Sequence, residues 1–350
     1  MGELRAVKVG KIIVGGSWPV SVQTMWKERA PTPGSPAFAA ALERIEGLAN
    51  LGCDILRFAV PEMADAEALG ELSRRSAIPL VADIHFDWRI ALRCMDYPLA
   101  KIRINPGNIG ERWKVAEVVA KAKDKGVSIR IGVNGGSLPE DLRDSSDRAD
   151  AIVEAAEREL AVFDELGFSD VIVSMKASSV DETIEMNRRF AEKHSVPLHI
   201  GVTEAGPLIA GVVKNTAALV PLLKEGIGST IRISLSDSPE SEVVAGREIL
   251  AAAGLGRKGV ALVSCPRCGR ASFDTHAFTS RWANKLYASR KDATIAVMGC
   301  VVNGPGEARH ADLGITGAGD KVIIFRHGEI VRTLSPEDAD TVFEEELKRL

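Results

Sequence analysis

Three cysteines are spaced to hold a metal centre. The run "SCPRCGR" sets Cys265 and Cys268 three apart, and "VMGCVVNGPGEA" brings Cys300 from a second segment. A Cys-x-x-Cys turn lets two thiolates reach one metal, but structural zinc sites recruit four Cys or His ligands. Here no obvious fourth ligand follows. The candidates after Cys300 are His310, His327 and the acids, of which Glu307 lies closest to the Gly-Pro-rich loop. Three thiolates with a weaker oxygen ligand suit an iron–sulfur cluster with one labile iron, and zinc stands as the other reading of the spacing. Asn303, Gly304, Pro305 and Gly306 predict a tight turn whose exposed amides would serve cluster sulfurs. The five cysteines are odd in number and widely spaced, unlike a secreted disulfide framework. Cys53 and Cys94 sit in apolar surroundings and read as small core residues. Such usage points to a reducing compartment, the cytoplasm.

A second group emerges from the residues that end short β-branched runs. Gln23 and Thr24, Arg57, Asp83 and His85, Arg103 and Asn105, Arg130 and Asn134, Ser174 and Lys176, Thr203 and Glu204, Arg232 and Ser234 occupy equivalent positions. Brought together, Arg57, Arg103, Arg130, Lys176 and Arg232 would repel one another and lose hydration unless an anion binds. The planar guanidinium fork suits phosphate oxygens, and several forks around one point suit a diphosphate. Two acids stand among these cations. Asp83 and Glu204 would be drawn toward ionisation, and either could move a proton. His85 could donate a hydrogen bond to substrate, with Asn134 beside it. Asn105, Ser174 and Ser234 complete the set of expected contacts.

The elements that must position these residues alternate strand with helix. Strands are expected at 20–25, 54–59, 80–84, 99–104, 128–132, 170–174, 198–202 and 230–234, with helical patterns such as 37–51, 112–125, 150–166, 180–193 and 240–253 between them. Gly52, Gly126, Gly167 and Gly226 sit where helices should end. Eight β–α repeats over about 230 residues match a TIM (β/α)8 barrel, whose chemistry lies where the strands end. A doubly wound open sheet is the alternative. Residues 254–259 read as a linker between a barrel domain, 1–253, and a smaller α/β domain, 260–350. In the latter, strands are expected at 260–264, 294–298, 321–325 and 329–332, with helices at 277–289 and from Ser335 onward. The last barrel helix returns the chain to the face away from the strand ends. A six-residue linker spans only about 20 Å, so closure onto its own barrel is hard and a head-to-tail homodimer is expected.

Bulk properties exclude several classes. A net charge of -4 argues against non-specific nucleic-acid binding. No apolar run approaches a membrane span, and residues 1–11 lack the core of a signal peptide. The 45% hydrophobic and 26% charged content is that of a globular protein.

The cysteine segments, together with "VQTM", "GCDILRFAVP", "VADIHF", "KIRINPGNIG", "RIGVN", "SMKAS", "GVTEAG" and "IRISLS", resemble the 4-hydroxy-3-methylbut-2-en-1-yl diphosphate synthase family. The resemblance runs in unbroken order from about residue 8 to 316. It implies a [4Fe–4S] cluster held by Cys265, Cys268, Cys300 and Glu307, and the substrate 2-C-methyl-D-erythritol 2,4-cyclodiphosphate. It also implies reductive ring opening with electrons from ferredoxin or flavodoxin, in the bacterial form that lacks the middle domain of plants; for such a reaction Glu204 is expected to supply the proton that lets water leave. A head-to-tail dimer follows from it as well. One departure stands out: Trp26, Lys27, Glu28 and Arg29 follow "VQTM", where the family shows small hydroxyl and acidic residues.

Overall fold

The computed structural model describes residues 3–256, 259–289 and 291–350. These fall into two compact units, divided between residues 257 and 258.

In the larger unit β1 (Ala6–Val9) and β2 (Ile12–Gly15) form an antiparallel hairpin, followed by β3 (Ser21–Met25), β4 (Ile55–Ala59), β5 (Leu80–Asp83) and β6 (Lys101–Ile104). Next come β7 (Ser128–Asn134), β8 (Val171–Lys176), β9 (His199–Ile200) and β10 (Thr230–Ile231). Strands β3 to β10 make one parallel 8-stranded sheet in the order β8-β7-β6-β5-β4-β3-β10-β9. A parallel bridge between Val173 and Leu198 joins β8 to the segment entering β9. The amide of Val173 donates to the Pro197 carbonyl at 3.0 Å, so the sheet returns on itself as a barrel rather than an open sheet.

Local chemistry explains the helices between the strands. In helix Pro36–Leu51 the Ser35 side chain accepts from the Phe38 amide, Pro36 takes the first helical position, and Gly52 ends the helix at φ 102°. Each device satisfies or omits a backbone group that the helix end would leave unpaired. Phe38, Ala41, Ile45, Leu48 and Leu51 recur on the buried face.

The hairpin β1–β2, whose arms are too short to signal themselves in the sequence, packs Val7, Val9 and Val14 against Ile55, Val81, Ala100 and Ile172. It closes the barrel end at which the strands begin. The two strands β9 and β10 are shorter than the patterning predicts. A side chain at Gly201 would collide with the Arg232 carbonyl, so the chains approach there without regular pairing.

The smaller unit is a 5-stranded sheet, β11 (Val260–Ser264), β12 (Ala293–Met298), β13 (Leu313–Ala318), β14 (Lys321–Arg326) and β15 (Glu329–Leu334), in that order. Its first three strands run parallel and its last three antiparallel. Helices Thr275–Ala288 and Ala339–Lys348 contribute Phe278, Trp282, Leu286 and Phe343 to one core with Ile295, Val297, Leu313 and Ile324. Phe278 and Phe343 meet edge to face at 5.0 Å. Burying a side chain of this size contributes about 1.5–3 kcal/mol, which lets so small a unit hold a sheet. Strand β13 is absent from the sequence-based reading because its two glycines, Gly314 and Gly317, break the β-branched run. Gly314 is needed there, since Phe325 lies where a side chain would go.

Candidate active site

The strands end on a common mouth, and their register decides which side chains meet there. Asp83 of β5 pairs with Arg103 of β6, which pairs with Arg130 of β7. A cavity of about 120 Å³ opens among them, lined by Arg57, Asp83, His85, Arg103, Arg130, Gly132, Asn134, Ser174, Lys176, Thr203 and Arg232. Five cations share this well with one carboxylate. Asp83 accepts from Arg103 Nη1 at 3.2 Å, and its other oxygen lies 3.6 Å from Arg57 Nε and 3.4 Å from His85 Nε2. Gly132 is required by the close approach of Arg103, whose Nε would sit 2.6 Å from a Cβ at that position.

Burial and mutual repulsion act on these groups together. Burial pushes the Arg57 guanidinium down to about 10 against the pull of Asp83, with Arg232 and Arg103 adding to the depression. Arg130 and Lys176 are driven well below their ordinary values, first by burial and then by neighbouring cations. Burial alone would raise the Asp83 carboxyl. Arg57, His85, Arg103 and Arg130 hold it far below the usual carboxylate range instead. Asp83 is thus drawn toward ionisation, as expected, and stands as a counter-charge to Arg57 and Arg103. Arg57 Nε, Arg103 Nε and Arg130 Nε and Nη1 are buried without a hydrogen-bond partner among the described residues. Orphaned cationic donors are costly, and an oxyanion with several oxygens is the ligand that satisfies them.

The cysteine loops leave neighbouring parallel strands of the smaller unit. The Cys265 amide donates to Val297 of β12 at 2.9 Å, and its sulfur lies 3.8 Å from where a Gly299 Cβ would stand. Cys265 and Cys300 are buried, whereas Cys268 is exposed. The amide of Asn303 draws the Cys300 thiol below its ordinary value against a smaller effect of burial, with help from the Val302 amide and Arg270. That favours the thiolate, the form that binds metal. Among the described residues, no three Cys, His, Asp or Glu side chains converge on one point. Residues Val302–Glu307 form a π-helical turn rather than the tight turn expected, because the amides of Gly304 and Ala308 fold back onto the carbonyls of Cys300 and Asn303. The amides of Val302 and Asn303 face the Cys300 sulfur. Arg267, between Cys265 and Cys268, adopts φ 68°, a left-handed backbone uncommon outside glycine.

Residues 4–247 match the GcpE TIM-barrel domain, and residues 261–349 match the GcpE protein C-terminal domain. The chain belongs to the GcpE family. Among similar proteins, the 4-hydroxy-3-methylbut-2-en-1-yl diphosphate synthase (flavodoxin) of Treponema denticola is 54% identical, over 93% of this chain and 89% of its own. The proteins of the same name from Treponema pallidum and Geobacter sulfurreducens are 51% and 46% identical, over 96% and 98% of this chain and 88% and 97% of theirs. Among solved structures, the N-acetylneuraminic acid synthetase of Leptospira borgpetersenii superposes with TM-score 0.50 at 12% identity, covering 81% of this chain and 96% of that one. The HPPK-DHPS protein of Plasmodium falciparum superposes with TM-score 0.51 at 12% identity, covering 71% and 48%. These two likenesses concern the barrel fold alone.

Three of the residues expected in the GcpE well stand outside its lining. Asn105 turns to local work, its Oδ1 accepting from the Gly107 amide at 3.0 Å and capping a one-turn helix. Ser234 accepts from Arg232 Nη1 at 3.1 Å and so touches the well through that arginine. Glu204 is exposed in the loop after β9 at φ 50°. It lies outside the cavity lining, while its neighbour Thr203 is part of it. Glu307 is exposed at the end of the π-helical turn.

Two buried charged positions near the well escaped sequence reasoning. Lys101, two residues before Arg103 and on the same side of β6, is fully buried and donates to Gln23 Oε1 at 3.3 Å. The period of two in a strand could have revealed it. Glu242 is buried in the first turn of helix Pro239–Ala252, where an acid interrupts the apolar face. The divergent loop after β3 is pinned to the barrel: Trp26 stacks on Phe58 at 5.3 Å, Lys27 meets Glu242 at 2.6 Å, and Arg29 meets Asp65 at 2.9 Å.

Proposed function

We propose that this chain is a 4-hydroxy-3-methylbut-2-en-1-yl diphosphate synthase that reduces 2-C-methyl-D-erythritol 2,4-cyclodiphosphate to (E)-4-hydroxy-3-methylbut-2-enyl diphosphate. The observation that carries this reading is the well of five cations around Asp83, with orphaned guanidinium donors, in a chain of this family. In the reaction two electrons and one proton enter and one water leaves. The bond between carbon and the ring phosphate opens, a neighbouring carbon loses its hydroxyl, and a double bond forms between the two.

Arg57, Arg103, Arg130, Lys176 and Arg232 hold the diphosphate, and their excess charge stabilises the anion released when the ring opens. His85, Asn134 and Ser174 line the same cavity and orient the carbon skeleton. Asp83 fixes Arg57 and Arg103 in place. Glu204, exposed beside the mouth, delivers the proton to the departing hydroxyl once substrate is seated.

The donor set of the smaller unit fits a [4Fe–4S] cluster: three thiols, one of them already drawn toward thiolate, and a carboxylate in the turn that follows Cys300. Cys265, Cys268, Cys300 and Glu307 would hold it. Bound there, the cluster supplies single electrons and a Lewis acid. Flavodoxin or ferredoxin is the electron source, in keeping with the flavodoxin-dependent names of the relatives. All five cysteines are free thiols, as suits the cytoplasm, and no helix among the described residues is long and apolar enough to cross a membrane. Exposed Met63, Phe86, Trp113, Leu208 and Ile209 follow four different strands and ring the mouth, while Val301 and Val302 are exposed beside Cys300. Apolar rims of this kind are covered in a working assembly. The cover proposed is the cysteine-bearing unit of a second copy, head to tail.

An anaerobic assay with the cyclodiphosphate and a one-electron reductant tests this reading. Brown protein containing iron and sulfide should turn over, the Glu204→Gln variant should retain its colour and lose turnover, and mixing it with Cys300→Ala subunits should restore part of the activity. Colourless zinc-bearing protein, or a coloured protein inert toward this substrate, would overturn it.

A further inference from the structure

One carboxylate outside the lining of the well accepts hydrogen bonds from four partners. Glu242 Oε1 accepts from Lys27 Nζ at 2.6 Å, Arg232 Nη2 at 2.9 Å and the Leu235 amide at 3.1 Å. Its Oε2 accepts from Thr24 Oγ1 at 2.7 Å and Arg232 Nε at 3.2 Å. The side chain is fully buried, and these contacts come from β3, the loop after it and the loop after β10. Burial would raise this carboxyl, but Arg232, Lys27 and Thr24 hold it ionised.

Arg232 is the cation of the well that this arrangement serves. A guanidinium has five N–H donors. Glu242 takes two of them and Ser234 a third, through Nη1 at 3.1 Å, which leaves two for an anion in the well. The clamp fixes where those two can lie. It also brings a difficulty, since a carboxylate paired with Arg232 alone would cancel its charge and present a neutral pair to the diphosphate. Lys27 resolves this. Two cations against one carboxylate leave one net positive charge, and Lys27 supplies it from outside the cavity lining.

Building on the diphosphate reading above, we propose that Glu242 is a positioning residue that aims Arg232 into the well, and that Lys27 offsets the Glu242 charge so that Arg232 meets the substrate as a full cation.

Charge compensation makes the test specific. Counting Lys27, Glu242 and Arg232, the wild type carries +1, Lys27→Met carries 0, and Lys27→Met with Glu242→Gln returns to +1. Binding of the cyclodiphosphate and of inorganic pyrophosphate to the cluster-loaded enzyme would be measured by calorimetry, with KM and kcat alongside. Lys27→Met should weaken both ligands about tenfold and raise KM with kcat little changed. The double variant should recover most of that loss. A purely structural role predicts the opposite, a double variant weaker than either single one. Equal binding by wild type and Lys27→Met, or no recovery in the double variant, overturns the proposal. If wild type binds pyrophosphate and the three proteins rank as expected while the cyclodiphosphate is inert, the positioning role stands and the substrate assignment falls. If wild type binds neither ligand, both fall.

Discussion

The cationic well and the cysteine loops face the same difficulty, several like charges that must come close, and the chain handles it differently in each. In the well, strand register forces Asp83, Arg103 and Arg130 side by side whether or not a ligand is present. Asp83 and the Glu242 clamp hold the arginines, while Lys101 and His199 lie fully buried in the same barrel interior. In the cysteine loops, Cys265, Cys268 and Cys300 leave two strands toward a common region, yet no three ligands converge among the described residues. Arginines can wait for their anion because a protein carboxylate shares the load. Beside Cys300 stand only nearby amides and Arg270, and on the reading proposed above a bound cluster would gather the three thiols. On that reading one site is built by folding and the other by its cofactor.

The largest expected effect that could break this contrast concerns Asp83. Replacing it with asparagine leaves Arg57 and Arg103 buried without their counter-charge and should destabilise the chain by about 3–5 kcal/mol in urea unfolding. Its folded-state value lies below the unfolded one, so this stabilisation is fully present above the ordinary carboxylate range and is lost progressively as pH falls from that range toward the lower folded-state value. The difference between wild type and Asp83→Asn should therefore shrink in acid. A loss under about 1 kcal/mol at neutral pH, or a difference that grows in acid, would mean that the well does not depend on its carboxylate.

How much of this was legible in the sequence follows the same division. The eight barrel strands announced themselves because both faces of each are buried, so that β-branched runs such as Val171–Val173 stand out between amphipathic helices. Arg57, Arg103, Arg130, Lys176 and Arg232 were readable because each sits at the end of such a run. What the pattern could not supply was reach. Arg103 lies within β6 and lines the well, whereas β9 stops at Ile200 and Glu204, four residues beyond it, is exposed and outside the lining. Asn105 has the right position and spends its side chain on Gly107. Glu242 lay hidden because it acts from the helix that follows Arg232, not from a strand end. Sequence spacing named the cysteines but said nothing of the π-helical turn, which depends on Gly304 packing where Thr316 leaves no room for a side chain.

The smallest expected effect sharpens the comparison from the other side. Cys300→Ser should abolish iron retention and leave the barrel's unfolding within about 0.5 kcal/mol of wild type. Iron analysis and fluorescence-detected unfolding of the barrel tryptophans would check both halves. A barrel that unfolds much earlier in this variant would show that the two sites are not independently built.

The most direct measurement is calorimetric titration of the cyclodiphosphate into anaerobically prepared chain, once with its cluster and once with iron and sulfide removed. A well built by folding should bind in both forms, with dissociation constants within about tenfold of each other, about 1.4 kcal/mol. Binding that vanishes when the cluster is removed would contradict the account, for the arginines would then need the cofactor to assemble their site.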